Sequence, residues 1–243
     1  VKKIMVAAYF DCFSGIAGDM ILGALFDLGL DLDFFKKELK KLGVSGYEID
    51  VKKIEKNHIS ACDVYIKTLE EQPFRSFKDI KNLIKKSSLS KDVQGKSIKI
   101  FEKIAEAEGK IHNIDVERVH FHEIGAVDSI IDVVGAVIGI RKLGIEKVYS
   151  SPLPLGKGFV KCSHGVIPVP APATVEILRN IPVYQTERKQ ELVTPTGAAV
   201  ITSFAEEFGV MPSMRINKIG YGAGKTKSED YPSLLRVFLG ELF

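Results

Sequence analysis

The spacing of apolar residues divides the chain into elements. Residues 3–10 are almost continuously apolar and predict a buried strand. GDMILGALFDLGL, from Gly18, carries Leu, Ile and Phe at helical spacing, with Asp19 near its start, and predicts a helix. DLDFFKKELKKLG predicts a second, amphipathic helix ended by Gly43. From Tyr47, alternation at Tyr47, Ile49 and Val51 predicts two strands joined by a turn at Asn57 and His58. SFKDIKNLIKKS and SKDVQGKSIKIFEKIAEAEGKIH predict two further helices, and a fifth apolar segment runs to Leu143 before Gly144. Between Lys147 and Pro172 the texture changes to Gly- and Pro-rich pieces with short strands. APATVEILRN and TPTGAAVITSFAEEFG predict helices, and SMRINKIGYGAG and SLLRVFLGELF predict closing strands.

Strands and helices mix without strict alternation, so the expected fold is α/β (α+β), a mixed sheet packed by helices. At 243 residues with 45% hydrophobic content, the chain can bury a full core. We expect one domain over 1–243, with a hairpin-plus-helix sub-lobe at 45–112 as a variant arrangement. The net charge of +3, from 34 basic and 31 acidic residues, argues against a nucleic-acid partner. The basic runs at 36–41 and 52–56 read as solvated faces, or as a field that steers an anionic ligand. No apolar run is long enough for a membrane span, and no signal peptide is recognisable. Cys12, Cys62 and Cys162 are few and widely spaced, which fits a reducing, cytoplasmic setting. The first residue is Val, so we expect a trimmed start. Homo-oligomerisation stays open.

The densest candidate chemistry is HFHEIGAVDSIIDVVG. His120 and His122 are two apart and share one side of an extended segment. Glu123 follows, and Asp128 and Asp132 are one helical turn apart. Gly125, Gly135 and Gly139 continue that face as a stripe of small residues, while Ile130, Ile131, Val133, Val134, Val137 and Ile138 cover the others. A helix apolar on so many sides is buried. Two carboxylates on one buried stripe repel unless a cation lies between them. With imidazoles beside them, a divalent metal is the natural cation, and mixed N/O ligation suits Zn, Ni, Mn or Fe(II). Asp128 as a helix cap with ordinary ion pairing is the competing reading.

Four loops add candidates. FDCFSGIAGDM leaves a strand at Asp11 and passes Gly15 and Gly18 into a helix, a place for an anion or for Asp11 to complete a metal site; a tight turn capped by Asp19 is the alternative. GKGFVKCSHGVIPVPAPAT brings Gly156, Gly158, Cys162 and His164 into a loop or hairpin, with Pro172 opening the next helix; a rigid connector reads equally well. In ELVTPTGAA, Thr194, Thr196 and Gly197 stand at a helix entrance that either holds phosphate or is simply capped. IGYGAGKTK ends like a nucleotide-binding P-loop, but Ile219 occupies the required glycine position. Gly220, Gly222 and Gly224 still mark an unusual backbone where a ligand could approach.

YFDCFSGIAGDM, HFHEIGAVDSIIDVVG, SHGVIPVPAPAT, ELVTPTGAA and GYGAG, in this order, resemble the LarC family of nickel insertion proteins, over nearly the whole chain. The resemblance implies CTP-dependent insertion of nickel into pyridinium-3,5-bisthiocarboxylic acid mononucleotide, with two Ni–S bonds and one Ni–C bond formed. It implies an anionic pyridinium nucleotide as partner, and CTP with a divalent cation (Mn or Mg) acting through a C-terminal domain. That domain is expected to be missing here, or supplied by a companion chain. On this reading His120, His122, Glu123, Asp128 and Asp132 hold nickel, and Gly15, Gly18, Gly156, Gly158, Thr194, Thr196 and Gly222 hold the nucleotide. Asp11 and His164 are the candidate catalytic groups. A metal-dependent hydrolase or phosphatase, and a non-catalytic nickel carrier, are the rival readings.

Overall fold

The computed structural model describes all residues except 1–4, 71, 74, 120, 122–125, 163–164 and 227–230. Its elements are β1 (Val6–Asp11), α1 (Gly18–Asp27), α2 (Leu32–Lys40), β2 (Tyr47–Lys56), β3 (Ile59–Thr68), α3 (Phe77–Lys86), α4 (Lys91–His112), α5 (Val127–Lys142), β4 (Lys147–Ser150), β5 (Leu153–Leu155), β6 (Phe159–Cys162), β7 (Gly165–Pro168), α6 (Pro172–Ile177), β8 (Val183–Gln185), α7 (Pro195–Phe204), β9 (Ala205–Phe208), β10 (Met214–Ala223) and β11 (Leu234–Leu242). Among the described residues a seven-stranded sheet runs β2-β3-β10-β11-β1-β4-β9. It is mixed: β1 pairs β11 antiparallel and β4 parallel, and β3 joins β10 in parallel at the single pair Cys62 and Gly222.

One sheet face carries Ala8, Phe10, Leu235, Val237 and Leu239 and packs beneath the helices. Helices α1, α5 and α7 lie nearest the sheet, and α4 backs α5, α6 and α7. Ile49, Val64, Phe77 and Ile104, from the stretch 45–112, share this core with Phe10 and Val134.

Local chemistry explains most boundaries. Ser76 and Asp79 form a reciprocal capping box at the start of α3. Asn57 and His58 both take positive φ, as a tight turn between antiparallel strands requires. Two helix boundaries differ from expectation. The helix expected over 194–209 stops at Phe204, and Ala205–Phe208 becomes strand β9, parallel to β4. Ala and Glu favour helix locally, but edge pairing with β4 wins, helped by Lys147 donating to Glu206 at 2.6 and 2.9 Å. α6 has Pro172 in its first turn as expected but ends at Ile177.

Helix α1 sits directly on the sheet. A Cβ on Gly23 would run into the Cys62 carbonyl and Gly222, and one on Gly222 would run into the Met20 carbonyl. On its other flank α1 runs parallel to α5: Gly18 meets Asp132, Leu22 meets Gly135, and Leu25 meets Gly139. The glycine stripe of α5 therefore does bring a neighbour close, and the neighbour is α1. Gly222→Ala is expected to lower stability by about 1–3 kcal/mol or more. Gly95→Ala, on the exposed side of α4 with open space around it, should raise stability by about 0.5–1 kcal/mol. Urea unfolding of both variants checks the pair, and equal stabilities would contradict the packing described.

Candidate functional site

Two loops meet where β1 hands over to α1. Ile16 donates its N–H to the Leu192 carbonyl at 2.9 Å, and Thr194 donates to the Ile16 carbonyl at 3.1 Å. This bridge sets the N-termini of α1 and α7 side by side, and Gly197 lets the α7 backbone touch the Ile16 carbonyl. Thr194 caps α7 by accepting the Gly197 N–H at 3.1 Å. α1 and α5 begin at Ala17 and Ala126, neither of which supplies a side-chain cap. The positive ends of these helices thus stay available to acidic groups.

A cavity of about 450 Å³ opens beside this junction. Its wall includes Asp19, Ser14, Thr194, Lys189, Lys225 and Phe159. The volume is in the range of small-molecule sites. Lys225 forms an ion pair with Asp63 and donates to the Val64 carbonyl at 2.7 Å, which ties the 224–226 turn to β3. Arg188 donates to Ser14 Oγ at 2.6 Å from the edge of the same loop cluster.

Asp19 and Asp132 form the electrostatic centre. Asp132 packs against Gly18, and its Oδ1 is sealed from solvent with no hydrogen-bond partner among the described residues. Burial first, then the nearby charges of Asp19 and Asp128, push its carboxyl well above the ordinary range; Lys225 pulls the other way. Burial likewise raises Asp19, against the opposing field of Lys225 and the Met20 N–H that its Oδ1 accepts at 2.8 Å. Asp128 is exposed, and its Oδ1 accepts the Ser129 N–H at 2.8 Å.

The anticipated residues fall into three groups. His120, His122, Glu123 and His164 lie outside the described residues. Around the first three, Phe77 donates to the Val119 carbonyl at 3.1 Å and Phe121 to the Arg75 carbonyl at 3.4 Å. Asp132 and Thr194 stand at the junction, Thr194 in the cavity wall. The rest require correction or reassignment. Asp11 does not join the carboxylates: strand alternation turns it to the sheet face away from the helices, where Arg236 Nε and Nη2 hold its Oδ2 at 3.0 and 2.5 Å. Thr196 is buried within α7. Gly15, Gly156 and Gly222 admit protein backbone: Gly15 abuts Leu192, Gly156 abuts Gln190, and Gly222 abuts Met20. Gly18 admits the Asp132 side chain, and Gly158, at φ +100°, turns the chain into β6.

The sequence reading passed over Asp19, treated only as a helix start, and Lys225, inside the rejected P-loop look-alike. The available signal was an acid in the first turn of a buried, glycine-led helix. The Cys12 and Cys62 thiols do not line the cavity. Cys12 is buried beside Ser150 and its thiol is pushed up to about 12, which keeps it protonated. Among the described residues no three His, Cys, Asp or Glu side chains group closely enough to hold a metal by themselves.

A carboxyl that holds its proton more tightly when folded makes the fold bind more protons than the unfolded chain. Stability then falls as pH rises from the ordinary aspartate value of 3.8 through the raised folded value. Asp132→Asn should remove that loss and raise the melting temperature of metal-free protein at neutral pH, by roughly 2–4 °C per kcal/mol recovered. Thermal unfolding of both proteins over about pH 4–7 checks this; a wild type that gains nothing on acidification relative to the variant would refute it.

Comparison with known proteins identifies the family. A family model described as nickel insertion protein matches residues 8–242. A protein of Dictyoglomus thermophilum is 55% identical over 98% of this chain and 61% of its own length. The pyridinium-3,5-bisthiocarboxylic acid mononucleotide nickel insertion proteins of Desulfitobacterium hafniense (strain DSM 10664 / DCB-2) and Geobacillus kaustophilus are 50% and 47% identical, each over 98% of this chain and over 59% and 60% of their own lengths. The chain thus spans about three fifths of the curated relatives it matches. No solved structure matches it. No helix among the described residues is long and apolar enough to cross a membrane. With the family model matched from β1 to β11, the chain belongs to the nickel insertion protein family.

Proposed function

We propose that this chain is the nickel-handling and nucleotide-holding part of a protein that inserts nickel into pyridinium-3,5-bisthiocarboxylic acid mononucleotide. The observation that carries the reading is the carboxyl pair Asp19 and Asp132 beside a nucleotide-sized cavity, with Asp132 Oδ1 sealed from solvent and unpartnered among the described residues. The family supplies the cation that such a pair calls for, Ni(II), here a substrate. Asp132 and the chain segment carrying His120, His122 and Glu123 precede or open the same helix, so imidazole and carboxylate ligation can come from one stretch. Asp128 stands in the first turn of that helix.

The nucleotide is anionic at its phosphate and its thiocarboxylates. Lys189 and Lys225 in the cavity wall offset that charge, and the Thr194 hydroxyl adds a polar contact. Forming the Ni–C bond requires a ring proton to leave as the metal bonds to carbon. Bound Ni(II) acts as the Lewis acid. His164 or a cavity carboxyl accepts the proton; Asp19, whose proton affinity burial raises, is the described group best suited to it. CTP with Mg or Mn enters as the co-substrate that the family resemblance implies, and no residue of this chain is assigned to it. The few, widely spaced cysteines support a reducing, cytoplasmic setting for the reaction.

Nickel titration of wild type, His120→Ala and Asp132→Ala, each checked for folding, is the primary test. Both variants should lose at least about tenfold in affinity; unchanged affinity in both rejects the site. Incubation with the mononucleotide, Ni(II) and CTP, with the C-terminal part of a longer relative supplied, should give the nickel product by mass. Nickel binding without product would favour a carrier, and turnover of simple phosphate esters would favour a hydrolase.

A further inference from the structure

Phe159 lines the cavity with 76% of its surface exposed. Leaving a phenyl ring in water forgoes burial that ordinarily stabilises a fold. Packing does not explain the placement. Its cross-strand neighbour is Pro168, and among the described residues no aromatic ring or cation stacks on it.

The root of the side chain is nevertheless anchored. Lys157 donates its N–H to the Arg188 carbonyl at 2.9 Å, fixing the strand entrance against the cavity loop. Gly158 then turns the chain at φ +100°, and Val169 donates back to the Gly158 carbonyl at 2.9 Å, closing the base of the β6–β7 hairpin. Strand alternation places Phe159, Pro168 and Val166 on one hairpin face, and Val166 is 68% exposed. A fixed base thus presents an exposed aromatic surface in a cavity whose wall also holds Lys189, Asp19 and Lys225.

We infer that Phe159 is the stacking and specificity residue for the ligand's heteroaromatic ring, and that it selects a cationic pyridinium over a neutral ring. The inference rests on the reading of the cavity as the site of a pyridinium mononucleotide. The face of a phenyl ring carries partial negative charge and attracts a cation lying over it. A pyridinium offers both a flat ring and that charge, and Lys189 in the same cavity wall offers a cation for the phosphate.

The test uses stable probes: nicotinamide mononucleotide, whose ring is cationic, its reduced form, whose ring is neutral, and uridine monophosphate. Binding to the full chain is measured by calorimetry for wild type, Phe159→Leu and Phe159→Tyr, with circular dichroism confirming that each is folded. Wild type should bind the oxidised mononucleotide about tenfold more tightly than the reduced one. Phe159→Leu should lose about tenfold for the oxidised form alone, abolishing that preference, while Phe159→Tyr stays within about twofold of wild type. Equal binding by wild type and Phe159→Leu, or equal losses across all three probes, overturns the stacking role and leaves the cavity assignment standing. Folded wild type that binds uridine monophosphate but neither pyridinium probe overturns both.

Discussion

Helix α1 lies on β3 and β10 with almost no side chain between, because Gly23, Gly220 and Gly222 face one another across the contact. Close packing of this kind permits little sliding: a carbonyl seated where a Cβ would be has nowhere else to go. The same helix is keyed into α5 through Gly135 and Gly139. Its position is therefore set by backbone against the sheet and by Leu22 and Leu25 seated on glycines against α5. The loop before it inherits that precision, and with it the spacing between Asp19, Asp132 and the cavity.

That seating also accounts for the electrostatics. One oxygen of the Asp132 carboxyl, Oδ1, is sealed from water without a hydrogen-bond partner among the described residues, and the side chain packs against Gly18. An isolated buried carboxylate is costly, so the metal-free protein relieves the cost by keeping a proton there. The helix N-termini and Lys225 moderate the penalty without removing it. By contrast, Asp11 shows the ordinary solution to the same problem. Its two contacts from Arg236 satisfy it within the sheet, on the other face, and leave it with no reason to seek a cation. Two acids of one chain, Asp11 and Asp132, thus have opposite characters, set by which side of a strand or helix each occupies.

Much of the architecture could be read from periodicity. The five N-terminal helices, the β2–β3 hairpin with its Asn57–His58 turn and the closing strands all follow from spacing and punctuation. The strand β9 could not, since Ala and Glu at 205–207 carry helical propensity and only the neighbouring β4 edge makes them extended. At the site, the helical spacing of Asp128 and Asp132 was legible, as was the need for close approach along the glycine stripe. The glycines of the loops were harder. Sequence reveals that something comes close to a glycine but does not reveal what, and at Gly15, Gly156 and Gly222 the visitor is the protein's own backbone. Asp19 and Lys225 meet only through the β10–α1 packing, a long-range pairing that no local pattern encodes.

The strand order carries one more implication. β11 is the last strand of the sheet in the chain, yet it lies between β10 and β1, near the middle. Gly224, Lys225 and Ser233, which line the cavity, lie between β10 and β11 in the chain. A nascent polypeptide emerging from the ribosome therefore holds β1 without its antiparallel neighbour until nearly all of these residues have been synthesised. The middle of the sheet is in this way completed late, by the pairing of β11 with β1 and β10.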